Sequence, residues 1–338
     1  MRDVLSEPVR LGVLGCADIA VRRLLPAVAA TDGVRLAAVA SRRAATAEAV
    51  TGTFGGQPVE GYDALLRRDD IDAVYVPLPA ALHAEWVERA LLAGKHTLAE
   101  KPLTTDARHT ARLVGLARAK GLVLRENFTF VHHPQHARVR RLVEEGAIGR
   151  PLAFQAAFTV PPRPPGDIRL RPELGGGARL DVGVYPLRAA LLLLGDELGL
   201  VGAALHHDET YGVDVGGAAL LRRSDGVTAQ LTFGMTHMYE AVYQLLGSEG
   251  RITVDRAFTT PAGQRPAVTL ERAGGVRTPD WEPADQWARA VAAFVRDVTQ
   301  DAGTPGTGPV RLAELLDEFR PAPAGAARSP QHGQAAEF

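Results

Sequence analysis

The chain has 338 residues, of which 46% are hydrophobic and 23% are charged, with a formal net charge of -1. This composition is typical of a globular protein with a sizeable core, and the length predicts two domains. A charge this small argues against nucleic acid or an anionic membrane surface as a partner, and no stretch reaches the roughly 20 apolar residues of a membrane span. Cys16 is the single cysteine, which excludes an internal disulfide and favours a cytoplasmic location. The charged N-terminal residues do not resemble a secretion signal.

Short apolar runs alternate with helical patterns from Val9 to Asn127. The predicted strands are Val9–Leu14, Leu36–Ala40, Ala73–Val76, His96–Ala99 and Leu122–Leu124. Phe54–Pro58, which contains two glycines and a proline, is predicted to be a turn. Strands that alternate with helices imply a doubly wound parallel sheet, in which ligands bind beyond the carboxyl ends of the strands.

A glycine turn follows the first strand and leads into a helical pattern. It reads Gly15-Cys16-Ala17-Asp18-Ile19-Ala20. A dinucleotide-binding fingerprint reads G-x-G-x-x-G/A at this place. Gly15 and Ala20 fit this fingerprint, whereas Ala17 replaces the glycine that lets the backbone approach a pyrophosphate. Taken alone, the loop is equally consistent with an ordinary strand-to-helix turn that buries Cys16.

The second strand ends in Ser41-Arg42-Arg43. An acidic residue at this position normally holds the ribose 2′-hydroxyl of NAD, and none is present here. Because a guanidinium group pairs with phosphate in a bidentate manner, the two arginines favour a 2′-phosphate and therefore NADP. The alternative is a pair of solvated arginines at the start of a helix.

The stretch from Asp72 to Leu103 has the length of a strand-helix-strand crossover. Pro77-Leu78-Pro79 follows its first strand, and Glu100-Lys101-Pro102 follows its second. Both segments are expected at the ligand-binding edge of the sheet. Lys101 is therefore a candidate catalytic group, the alternative being a surface lysine before a proline.

From Leu152 onward the pattern changes to strands rich in Phe, Val and Thr joined by short turns, which predicts a mostly antiparallel sheet with one open face. These strands are Ala153–Val160, Ala218–Arg222, Val227–Phe233, Tyr243–Leu246 and Val268–Arg272. One helical segment interrupts them and places Asp181 and Tyr185 four residues apart, on one helix face.

The predicted domains are 1–128, with the parallel sheet, and 129–320, with the second sheet and the last helices. The Pro-, Ala- and Gly-rich tail, 321–338, is predicted to be disordered. Three histidines between Val131 and His136 lack the regular spacing of a metal site, so no metal is predicted.

Together these motifs resemble the glucose–fructose oxidoreductase / inositol dehydrogenase / MocA (Gfo/Idh/MocA) family over roughly Val9 to Thr299. The resemblance depends on the glycine turn, the strand end at Pro77–Pro79, His83, Glu100-Lys101-Pro102, and Asp181 with Tyr185. Within the family the chain looks most like the TDP-sugar 3-ketoreductases of deoxysugar pathways. The shared segments include GCADIA, SRR, VYVPLPA, AGKHTLAEKPLTTD, HHPQH, GDIR and GVYP.

The resemblance implies an NADPH-dependent reductase that acts at C3 of a TDP-3,4-diketo-2,6-dideoxyhexose. Lys101 would hold the ketone oxygen and stabilise the negative charge that develops on it. Tyr185 would donate the proton, at the helix position where many relatives carry His, with Asp181 retained before it. A nearby ammonium group would lower the pKa of the tyrosine toward a usable value. Whether Lys101, Tyr185 or a water gives the proton stays open at this stage.

The resemblance also implies binding residues and a likeness in assembly. NADP(H) would contact Gly15, Cys16, Ala17, Asp18, Ile19, Ser41, Arg42, Arg43, Pro77, Leu78, Pro79, His83, Glu100, Lys101 and Asn127. The substrate would contact Lys101, Phe128, Arg163, Arg169, Asp181, Tyr185 and Arg188, with Arg169 as the first candidate for the TDP group. A homo-oligomer, dimer or tetramer, would form through the second sheet.

Two other functions remain open from the sequence. One is an NADP-dependent dehydrogenase of a free sugar, inositol or dihydrodiol, which would not need arginines for a nucleotide. The other is a non-catalytic protein that senses NADP, against which the presence of both Lys101 and Tyr185 argues.

Overall fold

The computed structural model describes residues 7–319 except 301, 305 and 307, so the predicted tail at 321–338 lies outside the described residues. The described chain forms a six-stranded and an eight-stranded sheet. The predicted fold class, a doubly wound parallel sheet followed by a mostly antiparallel one, is confirmed. The exact domain boundary at 128 stays a prediction.

All neighbouring strands of the first sheet pair in parallel, in the order β3-β2-β1-β4-β5-β6. The strands are β1 (Val9–Leu14), β2 (Val34–Ser41), β3 (Gln57–Glu60), β4 (Ala73–Val76), β5 (His96–Ala99) and β6 (Leu124–Glu126). Strand order reverses between β1 and β4, and a crevice for ligands opens at such a point. Gly15 follows β1 and Pro77 follows β4, so both lie at this crevice.

Helices cover both faces of the first sheet. A π-helical segment, Ala20–Leu24, leads into α1 (Leu25–Ala29); the others are α2 (Ala44–Phe54), α3 (Tyr62–Leu66), α4 (Ala80–Leu92) and α5 (Ala107–Ala119). The apolar side of α4 buries Val87, Ala90 and Leu91 against β4, where Val74 and Val76 are fully buried. Burial on both sides of the sheet explains why the four-residue strand β4 reads as a continuous apolar run.

The structure differs from the sequence prediction at three strands of this sheet. Strand β2, predicted as Leu36–Ala40, is longer at both ends. Residues 57–60, predicted as part of a turn, form the edge strand β3, whose residues are mostly exposed. An edge strand has one partner and little buried surface, so it carries no apolar signal, and its edge position tolerates Pro58. The last strand, β6, begins at Leu124 rather than Leu122.

The second sheet has the order β14-β13-β12-β11-β7-β10-β9-β8, with one parallel pair, β7 with β10. Its strands are β7 (Pro151–Thr159), β8 (Gly199–Asp208), β9 (Val213–Arg222), β10 (Thr228–Gly234), β11 (Glu240–Gly247), β12 (Gly250–Asp255), β13 (Ala267–Arg272) and β14 (Gly275–Arg277). The sequence analysis missed β8, β12 and β14. Since β8 and β14 are edge strands with mostly exposed residues, they lack the alternation that marks a half-buried strand.

One face of the second sheet buries a core against helices, and residues of the four strands at its centre, including Phe154 and Phe233, pack there. The helices of this half are α6 (Pro134–Glu144), α7 (Val184–Leu194), α8 (Gln286–Thr299) and α9 (Gly308–Glu318), with 3-10 turns at Thr129–His132, Ile168–Leu170 and Pro172–Leu174. A π-helical segment, Arg179–Gly183, precedes α7 directly. The predicted helix face of Asp181 and Tyr185 thus spans a π-helical segment and the first turn of α7.

Helix α8 returns to the first half of the chain. Its residues Val291, Phe294 and Val295 are buried in one cluster with Val9 and Leu11 of β1. An apolar stripe along a helix predicts burial but not the partner, so this packing is visible only in the structure. No helix in the described part of the chain has the length and hydropathy to cross a membrane.

Candidate active site

The glycine turn after β1 has the geometry of a phosphate-binding turn. Gly15 has a φ of +112°, a left-handed conformation that favours glycine, and a Cβ there would lie 3.1 Å from Leu78 Cδ2. Ala17 accepts a hydrogen bond from the backbone N–H of Ala20 (2.9 Å), which starts the first helical turn. The N–H groups at such a helix start attract anions. Cys16 Sγ donates a weak hydrogen bond to Thr46 O at 3.6 Å, and burial raises the pKa of its thiol.

A continuous groove crosses the crevice. A cavity of about 580 Å³ at one end is lined by the glycine turn and by Ser41, Arg42 and Arg43. A second cavity, of about 380 Å³, is lined by Glu100, Lys101 and Asn127 together with residues of the second half of the chain. Ala17 and the segment Pro77–Pro79 line both cavities, so the two form one groove along the strand ends.

The first cavity offers positive charge and no carboxylate among its lining residues. Ser41 is buried and its hydroxyl accepts the backbone N–H of Arg43 (3.3 Å). Tyr62 lines the same cavity, stacks edge-on against Trp86 with 4.9 Å between ring centroids, and lies beside Arg42. The sequence analysis missed Tyr62, because a tyrosine at the start of a short helix carries no distinguishing signal.

The second cavity contains an unsatisfied amide oxygen. Glu100 Oε1 accepts hydrogen bonds from Tyr75 Oη and from Asn127 Nδ2, both at 2.7 Å. Among the described residues Asn127 Oδ1 is buried with no hydrogen-bond partner, and such an atom is costly unless a ligand or water satisfies it. A carboxamide is one donor that would do so. With arginines at one end of the groove and this acceptor at the other, the residues fit NADP.

His83 is not among the residues that line the groove, and its predicted cofactor contact stays a prediction. Its side chain is 1% exposed, and its two ring nitrogens lie 2.8 Å from Pro102 O and 2.7 Å from Leu78 O. Burial lowers the pKa of this histidine. His83 therefore joins, from behind, the two segments that line the groove.

The predicted catalytic residues are brought together from distant parts of the chain. Lys101 Nζ donates to Asp181 Oδ1 and to Asp181 O, both at 2.8 Å. It also lies 5.3 Å from the centroid of the Tyr185 ring. The other carboxylate oxygen, Asp181 Oδ2, accepts from Arg169 Nε at 2.8 Å. Asp181 thus lies between two cations at the wall of the second cavity.

The charges of this cluster stabilise one another. Burial alone would lower the pKa of Lys101, but the Asp181 carboxylate outweighs it and the net shift is upward. Burial would raise the pKa of Asp181, and Lys101 and Arg169 together hold it well below its usual range. Lys101 therefore stays an ammonium at neutral pH, with its remaining N–H available to a ligand oxygen.

The environment of Tyr185 differs from the sequence prediction. Its pKa is raised, not lowered, because burial outweighs the nearby Lys101 ammonium. The ring packs among four phenylalanines, with centroid distances of 4.8 Å to Phe158, 5.6 Å to Phe128, and 5.9 Å to both Phe130 and Phe258. Phe128 is itself 2% exposed and is not among the residues that line the cavity, so it packs behind the tyrosine, and its predicted substrate contact stays a prediction.

The three predicted substrate arginines have different surroundings. Arg163 lines the second cavity, and its buried Nε has no hydrogen-bond partner among the described residues. Arg169 lines the same cavity but is paired with Asp167 and Asp181. Arg188 is not among the residues that line this cavity: burial lowers its pKa, and its charge faces the half-buried Glu126, whose own pKa burial raises to about 7. Its predicted contact with the substrate stays a prediction.

Several other cavity residues had no sequence signal. Phe158 and Val160 come from the end of β7, and Trp287 comes from the start of α8.

The histidines near residue 133 lie in the core. His133 and His136 are buried, and His136 contacts Tyr243 Oη and Ala257 O at 3.0 and 3.1 Å. In the described ranges no group of His, Cys, Asp and Glu side chains has the arrangement of a metal site.

A doubly wound sheet with a dinucleotide-shaped groove, which ends at a lysine, a carboxylate and a tyrosine, defines a dinucleotide-dependent oxidoreductase. Residues 9–128 match the profile of the oxidoreductase family with an NAD-binding Rossmann fold, and residues 136–253 match the GFO/IDH/MocA C-terminal domain. The chain belongs to the Gfo/Idh/MocA family of oxidoreductases.

Two relatives at 55% identity carry the same name. The chain is 55% identical over 325 residues to dTDP-3,4-didehydro-2,6-dideoxy-alpha-D-glucose 3-reductase of Streptomyces violaceoruber, covering 93% of this chain and 95% of that protein. It is also 55% identical to the enzyme of the same name from Actinomadura kijaniata, over 87% of this chain and 88% of that protein. The crystal structure of KijD10, a 3-ketoreductase from Actinomadura kijaniata in complex with NADP and TDP-benzene, superposes with a TM-score of 0.90 at 52% identity, covering 92% and 96% of the two chains.

Proposed function

We propose that this protein is an NADPH-dependent ketoreductase that reduces the C3 ketone of a TDP-3,4-diketo-2,6-dideoxyhexose. The observation that carries the proposal is the Lys101 ammonium, which Asp181 holds beside the Tyr185 ring at the end of the groove. A ketone reduction needs a hydride, a proton and a cation near the oxygen. The similarity to 3-reductases and to the 3-ketoreductase KijD10 selects the substrate class.

Different groove residues would bind different parts of NADPH. NADPH, when bound, supplies the hydride. Arg42 and Arg43 would hold the 2′-phosphate, and the N–H groups of Ala17, Asp18 and Ile19 would hold the pyrophosphate at the helix start. Asn127 Oδ1 would accept the carboxamide, with its amide nitrogen already fixed by Glu100.

Lys101 and Tyr185 would act on the ketone. Two of the three N–H groups of the Lys101 ammonium are engaged by Asp181, and the third is left for the ketone oxygen. A fixed charge at that oxygen stabilises the alkoxide as it forms. The raised pKa of Tyr185 keeps its hydroxyl protonated at neutral pH, so it remains a donor until a base as strong as an alkoxide takes the proton.

Arg163 is the proposed ligand of the TDP diphosphate. Its guanidinium lines the cavity, and its buried Nε lacks a partner among the residues that the structure describes. A diphosphate would supply the missing acceptors through charge-assisted hydrogen bonds. This assignment replaces Arg169, whose charge two carboxylates already share.

We also propose a cytoplasmic homo-oligomer that associates through the open face of the second sheet. A row of paired residues crosses seven strands of this face without a charged side chain: Gly202, Leu220, Gln230, Gln155, Gln244, Thr253 and Thr269. An uncharged row at the middle of a sheet face suits association with a second copy, because charged residues are depleted at the core of an interface. Leu220→Arg should shift the protein toward monomer in light scattering, and an unchanged mass would contradict this interface.

The test of the function is a calorimetric titration of TDP in the presence of NADPH. Micromolar affinity for TDP, with none for free sugars or inositol, is the expected result. Absence of TDP binding while NADPH still binds would contradict the nucleotide-sugar assignment and favour a free sugar, inositol or dihydrodiol as the substrate.

A second test replaces Lys101. Lys101→Ala should lower kcat by about 10²–10³-fold with NADPH affinity retained. Loss of cofactor affinity instead would give Lys101 a structural role. Absence of turnover in both the unmodified protein and the Lys101→Ala variant would favour a non-catalytic protein that senses NADP.

A further inference from the structure

We propose that Arg169 is a positioning residue, which orients the Asp181 carboxylate so that Asp181 in turn holds the Lys101 ammonium toward the ketone. The inference rests on the proposed function for the identity of the ketone. It assigns Arg169 to the catalytic cluster and leaves the diphosphate to Arg163.

The side chain of Arg169 is held between two carboxylates. Its Nε donates to Asp181 Oδ2 at 2.8 Å, and its Nη1 donates to Asp167 Oδ1 at 3.2 Å. Asp181 Oδ1 receives Lys101 Nζ at 2.8 Å. Because each oxygen of Asp181 has its own cation, the plane of the carboxylate is determined from both sides. Without Arg169 the carboxylate could rotate about its terminal bond, which has a broad torsional minimum.

The backbone of Arg169 is tied to the same part of the chain. Asp167 Oδ1 accepts the N–H of Arg169 at 2.9 Å, and Arg169 O accepts the N–H of Gly177 at 2.9 Å. A Cβ on Gly176 would lie 2.5 Å from Arg169 O, so glycine is needed for this close approach. Gly177 O accepts the N–H of Asp181 at 3.0 Å. Arg169 thus braces the segment that carries Asp181 through both its side chain and its backbone.

The charges support a role within the cluster. Asp167, Arg169, Asp181 and Lys101 carry two positive and two negative charges, so Arg169 has little net charge left to attract a diphosphate. Asp167 is not among the residues that line the cavity. A substitution at Asp167 therefore reaches a substrate only through Arg169, which separates positioning from direct contact.

The experiment compares Arg169→Gln with the matched control Arg163→Gln, and adds Asp167→Asn. For each variant, kcat with the diketo substrate and Kd for TDP and for NADPH are measured. Arg169→Gln should lower kcat by about 10- to 100-fold, the cost of misplacing a catalytic group by about 1 Å, and should change the Kd of TDP less than about 2-fold. Arg163→Gln should do the reverse, weakening TDP by about 10-fold or more, since a hydrogen bond to a charged group is worth about 1.5–3 kcal/mol.

Further outcomes decide the proposal. Asp167→Asn should lower kcat without weakening the binding of TDP. Arg169→Lys should be more active than Arg169→Gln, because an ammonium group restores a cation beside Asp181. Weaker TDP binding by Arg169→Gln with kcat preserved would make Arg169 a diphosphate ligand and overturn the inference, as would normal values of both. Unchanged NADPH affinity shows that a variant is folded. If Arg169→Gln loses NADPH affinity, the kcat and TDP affinity of Asp167→Asn and Arg169→Lys test the proposal in its place. If the proposed function is wrong, the unmodified protein itself will neither bind TDP nor reduce the diketo substrate. The same variants are then compared with the ketone that this protein does reduce.

Discussion

Replacing Asp181 by Asn tests whether the electrostatics of the cluster keep Lys101 charged. The change retains the size of the side chain but removes the only negative charge in direct contact with Lys101 Nζ among the described residues. The two side chains are 13% and 16% exposed, so solvent screens their attraction little. At an effective dielectric constant of about 20, unit charges about 4 Å apart attract by about 4 kcal/mol.

Loss of that attraction leaves the Lys101 and Arg169 cations on opposite sides of a neutral amide. Removing one partner of a buried ion pair costs about 3–5 kcal/mol unless the other partner neutralises. Burial by itself lowers the pKa of Lys101, and Asp181 is what raises it. In Asp181→Asn the lysine should therefore lose its proton at lower pH than in the unmodified protein. Because the proposed mechanism needs the ammonium, the alkaline limb of the activity profile should move to lower pH.

The assay is kcat/KM for ketone reduction between pH 6 and 10, with thermal unfolding of both proteins recorded at pH 7. We expect a lower kcat/KM at every pH, an alkaline limb displaced to lower pH, and a decrease in Tm. An alkaline limb that stays in place in an active variant would refute the reasoning, because Asp181 would then not determine the charge of Lys101. A Tm equal to that of the unmodified protein would contradict the stated cost of the broken pair.

Three further predictions use other parts of the structure. Replacing Arg42 and Arg43 by Ala should weaken NADPH about 100-fold or more and NADH little, as two charge-assisted hydrogen bonds to the 2′-phosphate are lost; fluorescence titration of both cofactors measures this, and an unchanged preference would place the 2′-phosphate elsewhere. Tyr185→Phe should leave Tm nearly unchanged, since the ring packing is retained, and should lower kcat by about 10²–10⁴; full activity would assign the proton to another donor. Burial lowers the pKa of His133 to about 4 and of His136 to about 3, so below pH about 6.5 the unfolded chain binds protons that the folded chain does not. Stability should thus fall by about 2 kcal/mol per histidine between pH 7.5 and pH 5. The raised pKa of Glu126 acts in the opposite direction over this range, so the comparison is made in a Glu126→Gln background, where equal Tm values at the two pH values would exclude the histidine effect.

The clearest agreement between sequence and structure concerns Val9 to Ala99. Strands β1, β4 and β5 have the predicted bounds, and the glycine turn and Lys101 lie at the predicted edge of the sheet. These features depend on local signals: an apolar run buried on both sides, a glycine at positive φ, and a polar group directly after a strand. Such signals can be read from the sequence because residues that are neighbours along the chain produce them.

The tertiary structure decided which charges meet. The sequence offers Arg163, Arg169 and Arg188 as candidates, with Arg169 first, yet of these three only Arg163 has a buried donor without a hydrogen-bond partner among the described residues. Arg169 is neutralised by Asp167 and Asp181, and Arg188 faces the Glu126 carboxylate. A guanidinium group takes its role from the acceptors around it, and these come from segments whose approach no local pattern records.

Burial, like pairing, is a property of the whole fold. An adjacent ammonium lowers the pKa of a tyrosine in water, but the packing of four phenylalanines around Tyr185 reverses the direction of the shift. His83 belongs to a shared family motif, and only the closed fold shows that both its ring nitrogens face carbonyl oxygens behind the groove. The sequence by itself thus determined the class of chain, the parallel sheet and the position of Lys101. The tertiary structure decided the partners and the pKa values, because solvent exclusion and long-range contacts exist only after folding.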